Sequence, residues 1–232
     1  MIRVVPSKGE DPHPVFKSKA ALAALIPAAL IPIVLAACST PNGQLTDTGI
    51  TATRSACPAV AIPASTGDIT LFNPPSSRDA TAIDVVANIT NLRSTCDESG
   101  NNIVTTLTFD VHAQRRDGRG AREVVLPYFV VAVQGGTQVQ SKAVSRVGLS
   151  FAEGALRAST RGSATGSVAR AAVTLPADVT AQITRRRKPG DPSAAIDPMA
   201  DPAVREAVRK ATFEMLVGFQ LTEEQLAYNA TR

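Results

Sequence analysis

The chain has 232 residues with a formal charge of +4, and 44% of its residues are hydrophobic, yet only 4% are aromatic and none is tryptophan. Scarce aromatic side chains disfavour the stacking platforms of sugar-binding and single-strand nucleic-acid surfaces. So small a net charge gives no electrostatic case for nucleic acid.

In chain order, the first predicted element runs from Lys17 to Cys38. Lys17 and Lys19 precede an apolar run, Ala20 to Ala36, that ends in Leu35-Ala36-Ala37-Cys38. A basic region, an apolar core and small residues before a cut form an export signal. The run is shorter than the about 20 residues of a membrane span, and it contains Pro27 and Pro32. Leu35-Ala36-Ala37-Cys38 also resembles the lipobox of bacterial lipoproteins, a match over only about four positions. The resemblance implies that residues 1–37 are discarded. Cys38 then receives a diacylglycerol thioether, becomes the new N-terminus and is acylated on its amine. The membrane would be engaged through lipid alone. The leader before Lys17 is longer than usual and includes Glu10 and Asp11, which a misplaced start codon or a tolerated extension would explain.

Removing the leader leaves 195 residues, enough for one domain and a tether. Because the leader carries Arg3, Lys8, Lys17 and Lys19 against Glu10 and Asp11, the remainder stays near +2. With Cys38 taken by lipid, Cys57 and Cys96 are expected to pair as a disulfide in an oxidising compartment. Two cysteines and the one remaining histidine, His112, lack the ligand set of a zinc site, so no metal and no cofactor is expected. Residues 38–56 read as the lipidated cysteine and a polar flexible tether, with a reach of roughly 20 to 25 Å. In the lipoproteins it resembles, an aspartate after the cysteine favours inner-membrane retention. Ser39 implies the outer membrane, periplasmic face.

From Cys57 the patterns become those of strands. Ile69 to Phe72 is a short apolar run closed by Asn73-Pro74-Pro75. Ile83, Val85, Ala87 and Ile89 alternate with more polar neighbours, Asp97 to Asn102 reads as a turn, and Ile103, Thr105, Leu107, Phe109 and Val111 define the inward face of the returning strand. Glu123 to Gln134 is apolar on both faces and belongs in mid-core, with Pro127 marking a bulge or sheet edge near its start. Gly135-Gly136 is a hairpin signal, and its partner strand should turn Val139, Ala143, Val147 and Leu149 inward. Leu156 to Leu175 promises one or two more strands. Residues 57–184 are thus expected to form an antiparallel β-sandwich, immunoglobulin-like or related, in a mainly β protein.

Two basic clusters stand out. Arg115, Arg116, Arg119 and Arg122 lie in a Gly-rich stretch read as a solvated hairpin loop. Arg185, Arg186, Arg187 and Lys188 open a Pro/Gly linker spanning 185–200. Either cluster offers contacts to anionic headgroups or lipopolysaccharide phosphates. Residues 201–232 are expected to be a helical appendage packed on the domain. Asp201 and Pro202 start an amphipathic helix ending near Gly218, with Glu206 and Lys210 as an exposed pair. Thr222 and Gln225 form a capping box for a second short helix, with Leu221 and Leu226 as its staple. Phe213, Phe219, Leu226 and Tyr228 are either core or a docking surface for a partner.

Nothing points to catalysis. His112 would be the sole base for a Ser-His-Asp arrangement, yet it sits on the polar face of a regular strand near Asp110, and no nucleophile elbow, phosphate loop or nucleotide fingerprint is present. The expectation is a lipid-anchored adaptor in a cell-envelope assembly, bound to the membrane and to an envelope protein. The competing expectation is a periplasmic carrier holding a lipid or other apolar ligand. An open apolar cavity would favour the carrier. A filled core with an exposed apolar patch near Phe219 and Tyr228 would favour the adaptor.

Overall fold

Alternation between Ile103 and Val111 sets the architecture, because a period of two commits one face of a long strand to the core. In the computed structural model, which describes residues 55–185, 190, 192 and 196–231 together with the strands Ile2–Arg3, Leu45–Thr46 and Gly49–Ile50, that alternation lies in a sandwich of two sheets. The export signal and Cys38 lie outside the described residues. The chain divides into two compact units, Met1–Ser7 with Arg54–Arg232, and Lys8–Thr53. In the second unit, Leu45–Thr46 and Gly49–Ile50 form an antiparallel ladder, so the stretch expected to be a plain tether contains paired backbone. Among the described residues no helix is long and apolar enough to cross a membrane.

The first unit has eight labelled strands: β1 (Ala59–Ala61), β2 (Asp68–Phe72), β3 (Ile83–Asp97), β4 (Asn102–Arg115), β5 (Arg122–Gln134), β6 (Gln138–Phe151), β7 (Arg157–Ala169) and β8 (Phe213–Phe219). One sheet runs β7-β4-β3-β2, with Ile2–Arg3 laid antiparallel on the outer edge of β7; the other runs β1-β8-β5-β6. Every labelled pairing is antiparallel except β1 with β8. Three consecutive strands, β2-β3-β4, form a meander. The β5-β6 hairpin then crosses to the second sheet before β7 returns beside β4. That order separates the fold from the immunoglobulin arrangement within the broader sandwich class.

The inner faces carry the expected residues. Val85, Ala87 and Ile89 on β3, Leu107, Phe109 and Val111 on β4, Leu126 and Val130 on β5, and Leu149 and Phe151 on β6 join one buried cluster. Pro127 falls where β8 stops, since Phe219 pairs with Tyr128. The start of β5 therefore has a neighbour on one side only, as its proline requires. The β5-β6 bulge lies elsewhere, between Ala132 and Val133, whose partners are Ser141 and Val139. This slip and the edge position leave Val139 63% exposed rather than inward. At the hairpin Gly135 and Gly136 both have positive φ, as the signal required.

The helices are α1 (Arg170–Val173), α2 (Ala177–Thr184), α3 (Pro202–Lys210) and α4 (Glu223–Thr231). The Asp201 carboxylate accepts from the Ala203 amide at 2.8 Å and caps α3. Lys210 Nζ meets Glu206 at 3.6 Å, as spaced, and Arg209 joins it at 2.8 Å. The capping box of α4 is formed in both directions: the Gln225 amide donates to Thr222 Oγ1 at 3.2 Å, and the Thr222 amide to Gln225 Oε1 at 3.0 Å.

The helix expected to reach Gly218 stops at Lys210. Phe213, Met215, Val217 and Phe219 then alternate inward along β8, a strand flanked by neighbours on both sides. Residues 201–232 are therefore a pair of short helices with a core strand between them, rather than the expected helical appendage.

Candidate functional site

The outer face of the first sheet is a polar surface built across three long strands, β3, β4 and β7. On β3 the residues opposite the core include Asp84 and Asn88, on β4 Asp110, His112 and Gln114, and on β7 Arg157, Ser159 and Arg161. Ladder register aligns them in rows: Asn88 beside His112 beside Ser159, and Thr90 beside Asp110 beside Arg161. Sequence reading found Asp84, Asn88, Asp110 and His112 by alternation but not Gln114, which lies past the expected end of its strand, nor Arg157, Ser159 and Arg161, because the serine- and glycine-rich β7 carries little hydrophobic contrast.

A β-bulge shapes one end of this face. The β3-β4 register shifts between Thr90 and Arg93, and Asn91 there adopts φ 51°. Its amide nitrogen donates to Asp110 Oδ2 at 2.7 Å and its oxygen accepts from Arg93 Nε at 2.9 Å, while Arg161 Nε donates to Asp110 Oδ1 at 3.1 Å. The Asn91 hydrogen bond, and after it that from Arg161, holds the Asp110 carboxyl below its ordinary range. His112, two residues on, is exposed. Beyond it lies an open concavity of about 1030 Å³, lined among others by Asp68, Asp84, Asn88, His112, Gln114 and Arg157. Amide, imidazole, carboxylate and guanidinium groups of both signs meet there, a chemistry suited to hydrogen-bonding an extended polar partner.

The first arginine cluster is not a set of four equivalent surface cations. Arg115 continues the inward alternation of β4 and is 2% exposed. Its guanidinium donates to four carbonyls, those of Ala155 at 2.7 Å, Gly118 at 2.8 Å, Gly120 at 2.9 Å and Ala152 at 2.9 Å, and lies 5.2 Å from the Phe151 ring centroid. One buried cation thereby ties the 116–121 loop to the 152–156 turn. Arg122 forms a two-pronged pair with Asp84 at 2.8 and 2.7 Å. Arg116 donates to the Thr81 carbonyl. Arg119, with a side chain 92% exposed, pairs with Asp117, whose carboxyl its hydrogen bonds pull down to about 2. The expected headgroup contact at Arg115 is thus corrected by burial, whereas Arg122 pairs with Asp84 and keeps a side chain that is 43% exposed. In the second cluster Arg185 is exposed, whereas Arg186, Arg187 and Lys188 lie outside the described residues.

Cys57 and Cys96 form the expected disulfide, with sulfurs 2.11 Å and Cα atoms 6.1 Å apart. It ties the segment before β1 to the end of β3, beside a small second core of Ile103, Val168, Val173 and Phe213. Glu98 lies nearby, but bonded sulfurs do not serve as thiolate ligands.

Of the two expectations for Phe213, Phe219, Leu226 and Tyr228, core packing holds for the two phenylalanines and the alternative docking set does not assemble. Phe213 and Phe219 are 7% and 0% exposed, in the core. Tyr228 is half-buried, edge-on to Phe72 with ring centroids 5.2 Å apart. Only Leu226 of the four is exposed, at 43%. Asn229 donates to the carbonyls of Ser65 and Asp68 at 2.9 and 2.8 Å, so α4 closes the β2 edge rather than presenting an apolar face.

No protein family, no curated protein and no solved structure matches this chain.

Proposed function

We propose that the chain is a lipoprotein of the bacterial envelope, anchored through Cys38 to the periplasmic face of the outer membrane. In this reading it acts as a non-catalytic adaptor that holds an envelope protein against the polar outer face of its first sheet. The observation that carries the adaptor role is the contrast between the two faces of that sheet. Inward, Phe109, Leu126, Phe151 and Phe219 fill the space a carrier would keep open for an apolar ligand. Outward, Asn88, His112, Gln114 and Ser159 line a broad, open concavity whose walls mix hydrogen-bonding and charged side chains with small apolar ones. A partner read by hydrogen bonds and charge fits that surface better than a lipid chain does.

A photo-crosslinking side chain placed at Gln114 of the full chain in intact cells tests the adaptor role. The expected result is a single protein adduct that is lost in a Cys38→Ser form, because the unlipidated, uncleaved variant is no longer delivered to the outer membrane. Absence of any protein adduct, with a lipid co-purifying instead, overturns the adaptor in favour of the carrier. For the anchor, Cys38→Ser should abolish lipid labelling and cleavage at this site; unchanged labelling removes the lipoprotein premise.

A further inference from the structure

Most charged side chains around the concavity on the first sheet are spent on one another. Arg122 holds Asp84 in a two-pronged pair, and Arg119 holds Asp117. Arg115 is turned inward onto its four carbonyls. Two cations remain. Arg157 is exposed and makes no side-chain hydrogen bond or ion pair among the described residues. Arg116, also exposed, donates to the Thr81 carbonyl, which carries no formal charge.

Both stand at one end of the sheet. Arg157 lies beside Gln114 in the β4-β7 ladder, and Arg116 follows Gln114 by two residues, its amide donating to the Asp84 carbonyl at 2.9 Å. Both line the concavity of about 1030 Å³, and a recess of about 540 Å³ shares Ile83, Asp84 and Arg116 with it. Pockets of about 300 to 1,000 Å³ house drug-sized ligands, so a few residues of peptide have room here. Asn88, Gln114 and Ser159 line the same space, and their side chains have no hydrogen bond among the described residues. The unspent groups are thus two guanidiniums and a set of neutral donors and acceptors. With Asp68 as the one further carboxylate of the lining, the surplus is a single positive charge, which is complementary to one carboxylate. A lipid phosphodiester carries that charge too, but a bilayer offers it on a plane, whereas these groups line a hollow.

We propose that Arg157 and Arg116, with Gln114 beside them, form a carboxylate site that reads an acidic, extended segment of the partner protein. The inference rests on the adaptor reading and names the chemistry of what is held. Arg157 forks to an aspartate or glutamate side chain of the segment, a geometry that a guanidinium matches and an ammonium does not. Arg116 adds its charge from the junction with the recess. Asn88, His112 and Ser159 then meet polar groups of the neighbouring residues.

The test places a photo-crosslinking side chain at Ser159 of the full chain in intact cells and sequences the partner's crosslinked peptide by mass spectrometry. That peptide is expected to contain an aspartate or glutamate. Arg157→Glu should lower the adduct yield about tenfold or more, and Arg157→Lys should lower it less. Reversing the partner's acidic residue to arginine should restore the adduct in the Arg157→Glu background. Because Arg157 has no partner within the fold, thermal melts of its variants should match wild type, which separates lost binding from lost structure. A protein adduct of undiminished yield in Arg157→Glu, or a crosslinked peptide without an acidic residue, overturns the carboxylate site and leaves the adaptor reading standing. Absence of any protein adduct overturns both. A lipid adduct that falls with Arg157→Glu assigns these cations to headgroup phosphates and likewise overturns the proposal.

Discussion

Replacing Arg115 with methionine isolates the work of a buried cation, because methionine retains most of the apolar stem and removes every donor. Four carbonyls on two loops, at Ala152, Ala155, Gly118 and Gly120, then lose the guanidinium donor, although Gly118 and Ala152 still accept from the Gly154 and Ala155 amides. A hydrogen bond contributes about 1 kcal/mol net, and one to a charged donor somewhat more. Relief of the guanidinium's own desolvation works in the opposite direction. The balance is a loss of about 3 kcal/mol. Arg115→Lys keeps the charge but cannot fork to four acceptors, so it should fall between methionine and wild type. Arg119→Ala, on the exposed loop beside it, should leave the unfolding midpoint unchanged. Urea denaturation followed by far-UV circular dichroism, with the disulfide intact, measures all three. A loss below about 1 kcal/mol for Arg115→Met would refute the claim that this guanidinium holds the two loops together, since the loss of four hydrogen bonds to a charged donor cannot be so inexpensive unless water already serves the carbonyls.

Gly162→Ala should cost about 2 kcal/mol by overpacking, because a Cβ there would stand 2.3 Å from Phe109 Cζ; in a thermal melt, adding Phe109→Leu should recover part of the loss. Cys57→Ser with Cys96→Ser should lower unfolding stability by about 4 kcal/mol, and reduced wild-type protein should match the double variant. Asp110 has a folded-state pKa below its unfolded value, from Asn91 first and Arg161 second, so its contribution is complete above the unfolded pKa and is lost as pH falls through the folded one. Asp110→Asn should therefore flatten the acid limb of a stability-versus-pH profile below pH 4 and leave its slope near neutrality unchanged; an unaltered acid limb rejects the pairing. Truncation before Asp201 removes β8, whose Phe213, Met215, Val217 and Phe219 are buried. At about 2 kcal/mol each, that loss rivals the whole stability of a domain, and a truncated chain that still melts cooperatively would show that β8 is dispensable.

Where one face is apolar and the other polar, the fold was legible. β3 and β4 alternate for many residues, so a slip of one position would turn the whole apolar set to water, and the sequence admits a single facing. The mid-core position of β5 followed equally directly from its two apolar faces. Local chemistry was also readable: the Thr222–Gln225 box and the Asp201 cap depend only on residues within one helical turn. Expecting the disulfide took only the premise of an oxidising compartment and a count of cysteines. Register slips were harder to foresee. Nothing in Val139's immediate sequence marks the bulge that exposes it, because the slip is a property of two strands together.

The two misreadings have converse physical causes. Phe213 to Phe219 is apolar at alternate positions but also at Leu216, and with Ala211 upstream the set satisfies a helical period as well as a strand period. Short apolar runs are ambiguous in this way. A strong cap at Asp201 and the helix it starts then extended the helical reading past Lys210. What decided the matter was long-range: β5 needed a neighbour on its free side, and ladder pairing with β1 and β5 offsets the loss of helical hydrogen bonds. Arg115 was misread for the converse reason. Its charge, and the glycines after it, overrode an alternation that runs unbroken from Ile103 through Ala113 to Arg115 itself. The pattern placed the residue inward, and carbonyls from two loops converge there to satisfy it. A charged residue in phase with a buried face therefore points to a structural clamp before it points to a surface site, and the functional reading belongs instead to the opposite face of the same strand, where His112 and Gln114 stand.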